Sequence, residues 1–383
     1  MKEKNKVYDI VYFHVEGEEY FKEKILHKLK YIVFNPETDI KYTFFGLLNA
    51  VYTSLLKEGL LLIKGLINLK YIEIWLRKLR ATIVANQIRK YRPKVVLTFT
   101  DNSNIFHLVC ESMKEVVFLA VQNGGRHSWC AYEALPQKEL LYHIDEYYCF
   151  GEYVKDLFEK HNHNIKKYVL SGSLLGGEFF SQYQSQINSF NKSYDICLVS
   201  QWSKRLTKTN LLPPTWRNLN ESIHSLIKLV ADYSYYHGKS VCVALRSKDP
   251  EEKQIFQQYF KGNCSFQESD RSRYSGYVAV TKSKLIVAIN STLATESFGA
   301  GMKVLFVNPF NERWLKPTTN SGIWYFTGKD FSSFASRLNN LIDMNLKSYQ
   351  QQSYDEMKRS VNYDFKKPLS KILRKRLLKL IRT

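Results

Sequence analysis

The sequence predicts an α/β protein built as two Rossmann-like domains that face each other across a cleft. Three observations lead there. A length of 383 residues exceeds one ordinary α/β core. Apolar, strand-like runs alternate with helix-length segments in both halves. A polar stretch without period 2 or period 3.6 separates the halves.

In the first half the strand-like runs are Val7 to Phe13, Val95 to Phe99, Val116 to Val121, Glu146 to Phe150 and Tyr168 to Leu170. Helices are expected around 18–30, 71–90, 103–113 and 151–160. Strands separated by helix-length segments imply βαβ units and a parallel sheet. The polar run Ser181 to Ser189 reads as the linker. The expected boundaries are therefore 1–182 for the first domain, 183–193 for the linker and 194–364 for the second domain, with a tail over 365–383. Strands are expected again at 195–200, 240–246, near 265, at 285–288 and at 303–307, with helices near 218–236, 250–260, 275–282, 293–300 and from 330 to 363. Two such sheets bind ligands where their strand C-termini meet.

Composition agrees with a globular chain: 44% hydrophobic, 24% charged, 17 Gly and 9 Pro, which argues against disorder and against a disulfide scaffold. Cys110, Cys130, Cys149, Cys197, Cys242 and Cys264 form no C-x-x-C pair and mostly sit in apolar runs, so reduced core thiols of a cytoplasmic protein are expected. The N-terminal MKEKNK leads straight into an apolar strand, without the pattern of a secretory leader. The nine His offer only the closely spaced His161 and His163, without a third ligand, so solvent exposure and no metal are expected there.

A net charge of +20 calls for an anionic partner. Nucleic acid is disfavoured, because no RNP-type, zinc or helix-turn-helix signature occurs. From Lys366 onward there are eight Lys or Arg and no acid. Leu369, Ile372, Leu373, Leu377, Leu380 and Ile381 recur there at helical spacing, the pattern of a basic amphipathic helix on an anionic inner-membrane surface; packing on its own protein is the alternative. Residues 45–69 are apolar but interrupted by Lys57, Glu58 and Lys64. They read either as a core helix pair or as a segment partly inserted into a bilayer face, not as a spanning helix.

The most informative run extends from Leu285 to Val307: apolar strand, the turn Asn290-Ser291-Thr292-Leu293, a short helix, a Gly break, a second strand. Ser291 and Thr292 fall where the helix begins, so unpaired N–H groups, the helix dipole and two hydroxyls converge, and an anion fits. A helix needs a cap in any case, but Glu296 is not explained that way. With Ser291 or Thr292 as N-cap the capping-box position falls on Ala294 or Thr295, which leaves Glu296 suited to ribose hydroxyls or to solvent.

Here the S-T-L-x-x-E run resembles the donor site of bacterial surface-carbohydrate (capsule and lipopolysaccharide) glycosyltransferases of the GT-B fold. These include Kdo and sialic-acid-like transferases and, more distantly, polysialyltransferases and teichoic-acid glycerophosphotransferases. Thr98 to Ser103, Val121 to Arg126, Phe150-Gly151-Glu152, Ser171-Gly172-Ser173, Ser200-Gln201-Trp202 and Leu245 to Lys248 follow in the order of that family's landmarks. The resemblance implies an acceptor-binding first domain, a donor-binding second domain, and a CMP-linked ulosonic acid held by Ser291, Thr292 and Glu296. A UDP-hexose or CDP-glycerol donor on the same fold and a non-catalytic partner protein are the other readings.

Each landmark has a chemical reason. Asp101 lies past a strand end, where a base taking the acceptor proton would act, though it also suits a helix cap. Gln122, Asn123, Gly124, Arg126 and His127 form a Gly-rich turn suited to the donor carboxylate or the acceptor, the alternative being an ordinary turn with a solvated Arg. Arg246 and Lys248 end a strand and would neutralise a leaving phosphate, or are simply a solvated strand end, and Ser200 and Gln201 at another strand end are also expected at the nucleotide. With no Asp-x-Asp in the chain, no metal cofactor is expected, and inversion in a single displacement is the expected mechanism. The expected partners are a nucleotide-sugar donor and a glycan or glycolipid acceptor, reached from the inner face of the cytoplasmic membrane.

Overall fold

The structure, a computed structural model, describes residues 7–40, 44–126, 141–183, 191–207, 214–270, 273–318 and 320–382. Two parallel six-stranded sheets organise it. The first holds β1 (Ile10–Phe13), β2 (Tyr31–Phe34), β3 (Val95–Thr98), β4 (Val117–Val121), β5 (His143–Cys149) and β6 (Asn164–Leu170), in the order β2-β1-β3-β4-β5-β6. The second holds β7 (Tyr194–Val199), β8 (Val241–Ala244), β9 (Ser265–Gln267), β10 (Ser283–Ala288), β11 (Val304–Asn308) and β12 (Tyr325–Thr327), in the order β12-β11-β10-β7-β8-β9.

Parallel strands are covered on both faces, which is why they read as unbroken apolar runs: all four residues of β1 are buried. In each sheet the first strand in the chain lies inside, so successive crossovers leave it in opposite directions. The switch points fall between β1 and β3 and between β7 and β10. Strand C-termini diverge there and open the crevice in which such sheets take ligands.

The crossovers of the first sheet are α1 (Glu18–Tyr20), α2 (Phe44–Gly65), α3 (Lys70–Arg89), α4 (Asn104–Ser112) and α5 (Glu152–Lys160), followed by α6 (Leu174–Tyr183). Those of the second are α7 (Pro214–His237), α8 (Pro250–Phe260), α9 (Ser275–Thr281) and α10 (Thr292–Gly299), and the chain ends in α11 (Phe331–Asp343), α12 (Leu346–Ser360) and α13 (Leu369–Arg382).

Several expectations need correction. The helix expected over 18–30 is α1 followed by one π turn, Phe21–Ile25, and the strand β2 was overlooked after it. Lys28 sits at φ 62, a left-handed conformation that ends the helical stretch. The linker begins later than expected: Ser181 to Tyr183 form the last turn of α6, where the Tyr183 ring lies 4.8 Å from that of Phe179. His163 is half-buried against Tyr142 and Phe158 rather than solvated, its Nδ1 accepts from the Tyr142 amide at 3.0 Å, and burial lowers its pKa to about 4.

The tail is the largest correction. After α12 the chain crosses back to the first half, where the Asn362 amide donates to the Phe150 carbonyl at 2.7 Å. Gly151 is required for that approach, since a Cβ there would meet the Arg359 carbonyl oxygen at 2.3 Å. Helix α13 then packs on the first sheet, with Leu369, Leu373 and Leu377 buried among Ile10, Tyr12, Val95, Leu97 and Leu119. Arg376 pairs with the buried Glu146 on β5, and Lys94 donates to the Ile381 carbonyl at 2.7 Å. The apolar face expected to meet a membrane through 366–383 is thus consumed by the protein itself. Leu373→Ala should lower unfolding free energy by about 2–5 kcal/mol, the usual cost of a cavity at a fully buried leucine, measured by denaturant titration.

Candidate functional site

At the C-terminal end of β10 the chain leaves the sheet through Ile289 and Asn290, and Gln201, just past β7, shapes the exit. Its Oε1 accepts from the Ile289 and Asn290 amides at 3.1 and 2.9 Å, and its Nε2 donates to Asn290 Oδ1 at 2.5 Å. Ser291 is the extended N-cap of α10 (φ −64, ψ 140), and its hydroxyl makes no capping bond. The dipole and the first-turn amides of α10 therefore point at the cleft without a side-chain acceptor of their own.

Thr292 faces the other half directly. Its Oγ1 accepts from the Gly125 amide at 2.9 Å, and a Cβ on Gly124 would come within 3.2 Å of that oxygen. Leu293 turns away and packs under Gly276 of α9, which makes it a packing residue. Ser200 is also engaged internally: its hydroxyl donates to Glu252 Oε1 at 2.5 Å. Fully buried Glu252 additionally accepts from the amides of Arg246 and Ser247 at 2.8 and 2.9 Å, so it holds the loop after β8. The side chains of Arg246 and Lys248 are exposed at that strand end, beside β7.

In the first half Gln122 is buried and positions the Gly-rich turn, accepting from the Phe150 amide at 2.8 Å and donating to the Gly124 carbonyl at 2.7 Å. Asp101 is fully buried and accepts four hydrogen bonds. Oδ1 takes the Asn123 amide at 3.1 Å and Arg126 Nη2, and Oδ2 takes Arg126 Nε at 3.1 Å and the Tyr147 hydroxyl at 2.7 Å. A carboxylate with its lone-pair sites so occupied is poorly disposed to take a substrate proton, and neither does it cap α4, whose N-cap is Ser103. Asp101 serves instead to hold Arg126, whose Nη2 also donates to Asn123 Oδ1 at 2.8 Å. His127 lies outside the described residues.

Glu296 is engaged by the protein's own side chains. It is buried between the halves, accepting from Ser173 at the β6–α6 junction and from the Tyr277 hydroxyl at 2.8 Å. Burial raises its pKa to about 7, against the hydrogen bonds from Ser173 and Tyr277 that favour the charged form.

Two side chains that sequence reasoning passed over complete the cleft. His14 and Glu16 follow β1 at the first switch point, and the run Phe13-His14-Val15-Glu16 carried the signal, titratable groups just past an apolar strand. Glu16 Oε2 accepts from Asn123 Nδ2 at 3.0 Å and from Thr100 Oγ1 at 3.3 Å. His14 Nε2 lies 2.8 Å from Ser103 Oγ, and burial lowers its pKa. A continuous path thus runs from half-buried Glu16 through Asn123 and Gly125 to Thr292. Among the described residues, no three of His, Cys, Asp and Glu gather as a metal-ligand set.

Two parallel sheets opposed at their switch points define the GT-B class of α/β proteins. Residues 119–377 match the family described as "putative O-antigen biosynthesis protein", and the chain belongs to that family. Similar solved structures include MnaA of S. aureus in complex with UDP, at 12% identity and TM-score 0.53, covering 97% of this chain and 95% of that one. UDP-GlcNAc 2-epimerase of Neisseria meningitidis bound to UDP-GlcNAc is similar at 10% identity and TM-score 0.50, covering 97% and 98%. The wall teichoic acid polymerase TagF with CDPG follows at 9% identity and TM-score 0.51, covering 100% and 90%. None of the curated proteins matches the chain. At these identities the likeness is one of fold, while the family agrees with the surface-carbohydrate biosynthesis that the landmarks implied.

Two outcomes follow from the buried carboxylates. Asp101→Asn should cost about 3–5 kcal/mol of stability in denaturant titration, because it leaves the Arg126 charge buried without its counter-ion; a variant as stable as the parent would return Asp101 to the chemistry. Glu296 holds its proton more tightly when folded, so its contribution to stability is fully present below the ordinary value of 4.5 and is lost as pH rises toward about 7. Glu296→Gln should flatten that part of the stability-against-pH curve.

Proposed function

We propose that this chain is a glycosyltransferase that moves a sugar from a nucleotide donor onto a bacterial surface glycan or glycolipid. The observation that carries the reading is the opposition of two unlike switch points. The second half presents a helix N-terminus without a side-chain cap at Ser291 and Thr292. The first presents the half-buried carboxylate of Glu16, joined to that helix through Asn123 and the Gly125–Thr292 hydrogen bond.

In this scheme the donor phosphate sits on the first-turn amides of α10 and the Ser291 hydroxyl, with Arg246 and Lys248 at the neighbouring strand end offsetting its charge. Gln201 and Asn290 keep the turn open to it. Neutralisation is assigned to these groups because the sequence lacks Asp-x-Asp. Glu16 replaces Asp101 as the general base: it takes the acceptor hydroxyl proton as the oxygen bonds to the anomeric carbon and the bond to the nucleotide phosphate breaks. One such displacement inverts the configuration.

A CMP-linked ulosonic acid, Kdo or sialic-acid-like, is the donor first proposed, on the strength of the S-T-L-x-x-E resemblance. UDP and CDP are the alternatives to set beside it, since UDP, UDP-GlcNAc and CDPG are the ligands named with the structures of similar fold. A thermal-shift panel of CMP, UDP, CDP and GDP separates them: a nucleotide at 100 times its dissociation constant adds about 2.7 kcal/mol. Stabilisation by UDP or CDP but not CMP would discard the ulosonate donor, and stabilisation by none would discard the transferase reading. Glu16→Gln should lower turnover by about 10²- to 10⁴-fold while leaving the nucleotide shift intact; unaltered turnover would remove Glu16 as the base.

A further inference from the structure

Once α13 is packed on the first sheet, a different element carries the unpartnered apolar surface. Most of the exposed large apolar side chains among the described residues lie between Phe44 and Leu76, on the hairpin of α2 and α3. Singly scattered apolar residues are ordinary on a protein surface, whereas a contiguous patch of this size marks a binding face. Only Ala50, Ser54, Leu61 and Gly65 of α2 are buried, and α3 is its principal neighbour. The two helices meet closely: a Cβ on Gly65 would lie 2.5 Å from Ile72 Cγ1. The far half of α3, with Ala81, Val84, Ala85 and Ile88, is anchored in the core beside the first sheet.

Shape and charge identify what this face takes. The two most exposed of these side chains, Leu66 (88%) and Ile67 (91%), lie with Leu69 (79%) at the tip of the hairpin, and Phe45 (82%) is exposed at the other end of α2. An apolar tip that projects matches a fluid acyl layer, which closes around it. The acids of the hairpin are already committed, Glu58 to Lys78 at 3.0 Å and Glu73 to Arg77 at 2.5 Å. Lys57, Lys64 and Lys70 remain as an exposed positive rim around Leu56, Leu60 and Ile63. Apolar side chains bordered by lysines are the composition that lies in an anionic lipid interface. Helix α2 is long and apolar enough by composition to cross a bilayer. Its close packing along α3, whose other half belongs to the core, keeps it beside the protein and in the plane of the interface.

We propose that the α2–α3 hairpin seats the protein on an anionic lipid bilayer, with Leu66, Ile67 and Leu69 entering the acyl boundary and Lys57, Lys64 and Lys70 on the headgroups. This surface is independent of the sugar transferred, so its test needs no activity. The full chain is sedimented with vesicles of phosphatidylcholine alone or containing phosphatidylglycerol. Wild-type protein should bind the anionic vesicles in preference. Leu66→Asp combined with Ile67→Asp should weaken binding at least tenfold, and Lys57→Glu with Lys64→Glu and Lys70→Glu should abolish the preference for anionic lipid. Tyr235→Asp with Tyr236→Asp, altering another exposed aromatic pair, should bind as wild type does. A tip variant that binds like wild type overturns the proposal. So does equal loss in the Tyr235 and Tyr236 variant, or self-association without vesicles that the tip variant removes. Independently of any loss of binding, Ile67→Trp should show a blue shift in its added emission on anionic vesicles; an emission unmoved by vesicles contradicts insertion.

Discussion

Leu369, Leu373 and Leu377 fasten the last helix onto the first sheet, and the geometry of the cleft depends on that closure. Two separately wound sheets have little reason to hold their strand ends face to face. The chain supplies one by crossing back at Gly151, where a glycine lets the Arg359 carbonyl approach, and by burying one side of α13 under β1, β3 and β4. The second half meets the first with α10 against the Gly124–Gly125 turn. The contact at Thr292 is one of several between the halves, with Glu296 and Ser173 meeting close by.

The buried carboxylates show how such an arrangement is kept in register. Asp101 holds Arg126 and the turn after β4, Glu146 holds Arg376 of α13, Glu252 holds the loop after β8, and Glu296 bridges α10 to the β6–α6 junction. Each accepts hydrogen bonds from charged or polar partners, as a buried carboxyl group must if its desolvation is to be offset. Groups so committed serve as struts. Under the proposed function the chemistry then falls to titratable side chains at the switch points that keep part of their surface exposed, which among the described residues of the first half include His14 and Glu16.

Surface character divides in the same manner. Two segments that each carry an apolar face, the largely apolar α2 and the basic amphipathic α13, end in opposite situations. The basic tail spends its apolar face inside the protein, whereas α2 has α3 as its principal cover. A basic amphipathic pattern states that one face seeks an apolar environment. Whether protein or lipid provides it depends on which surfaces remain uncovered after folding.

What the sequence determined alone is what local rules govern. Alternating apolar runs and helix-length segments specify two parallel α/β sheets, and the Ser291-Thr292 pair after an apolar strand specifies a helix start open to an anion, because periodicity and capping act within a few residues. The short strands β2 and β12, four and three residues long, were not read from the sequence, the first beginning directly after the expected helix over 18–30. The tertiary structure alone decided that Asp101 is sealed by Arg126 and Tyr147, that Glu296 accepts from Ser173 and Tyr277, and that the tail is internal. Burial and hydrogen-bond partnership arise between residues distant in the chain, 25 positions apart for Asp101 and Arg126 and 123 for Ser173 and Glu296. No local pattern encodes which of two carboxylates near a strand end will be covered.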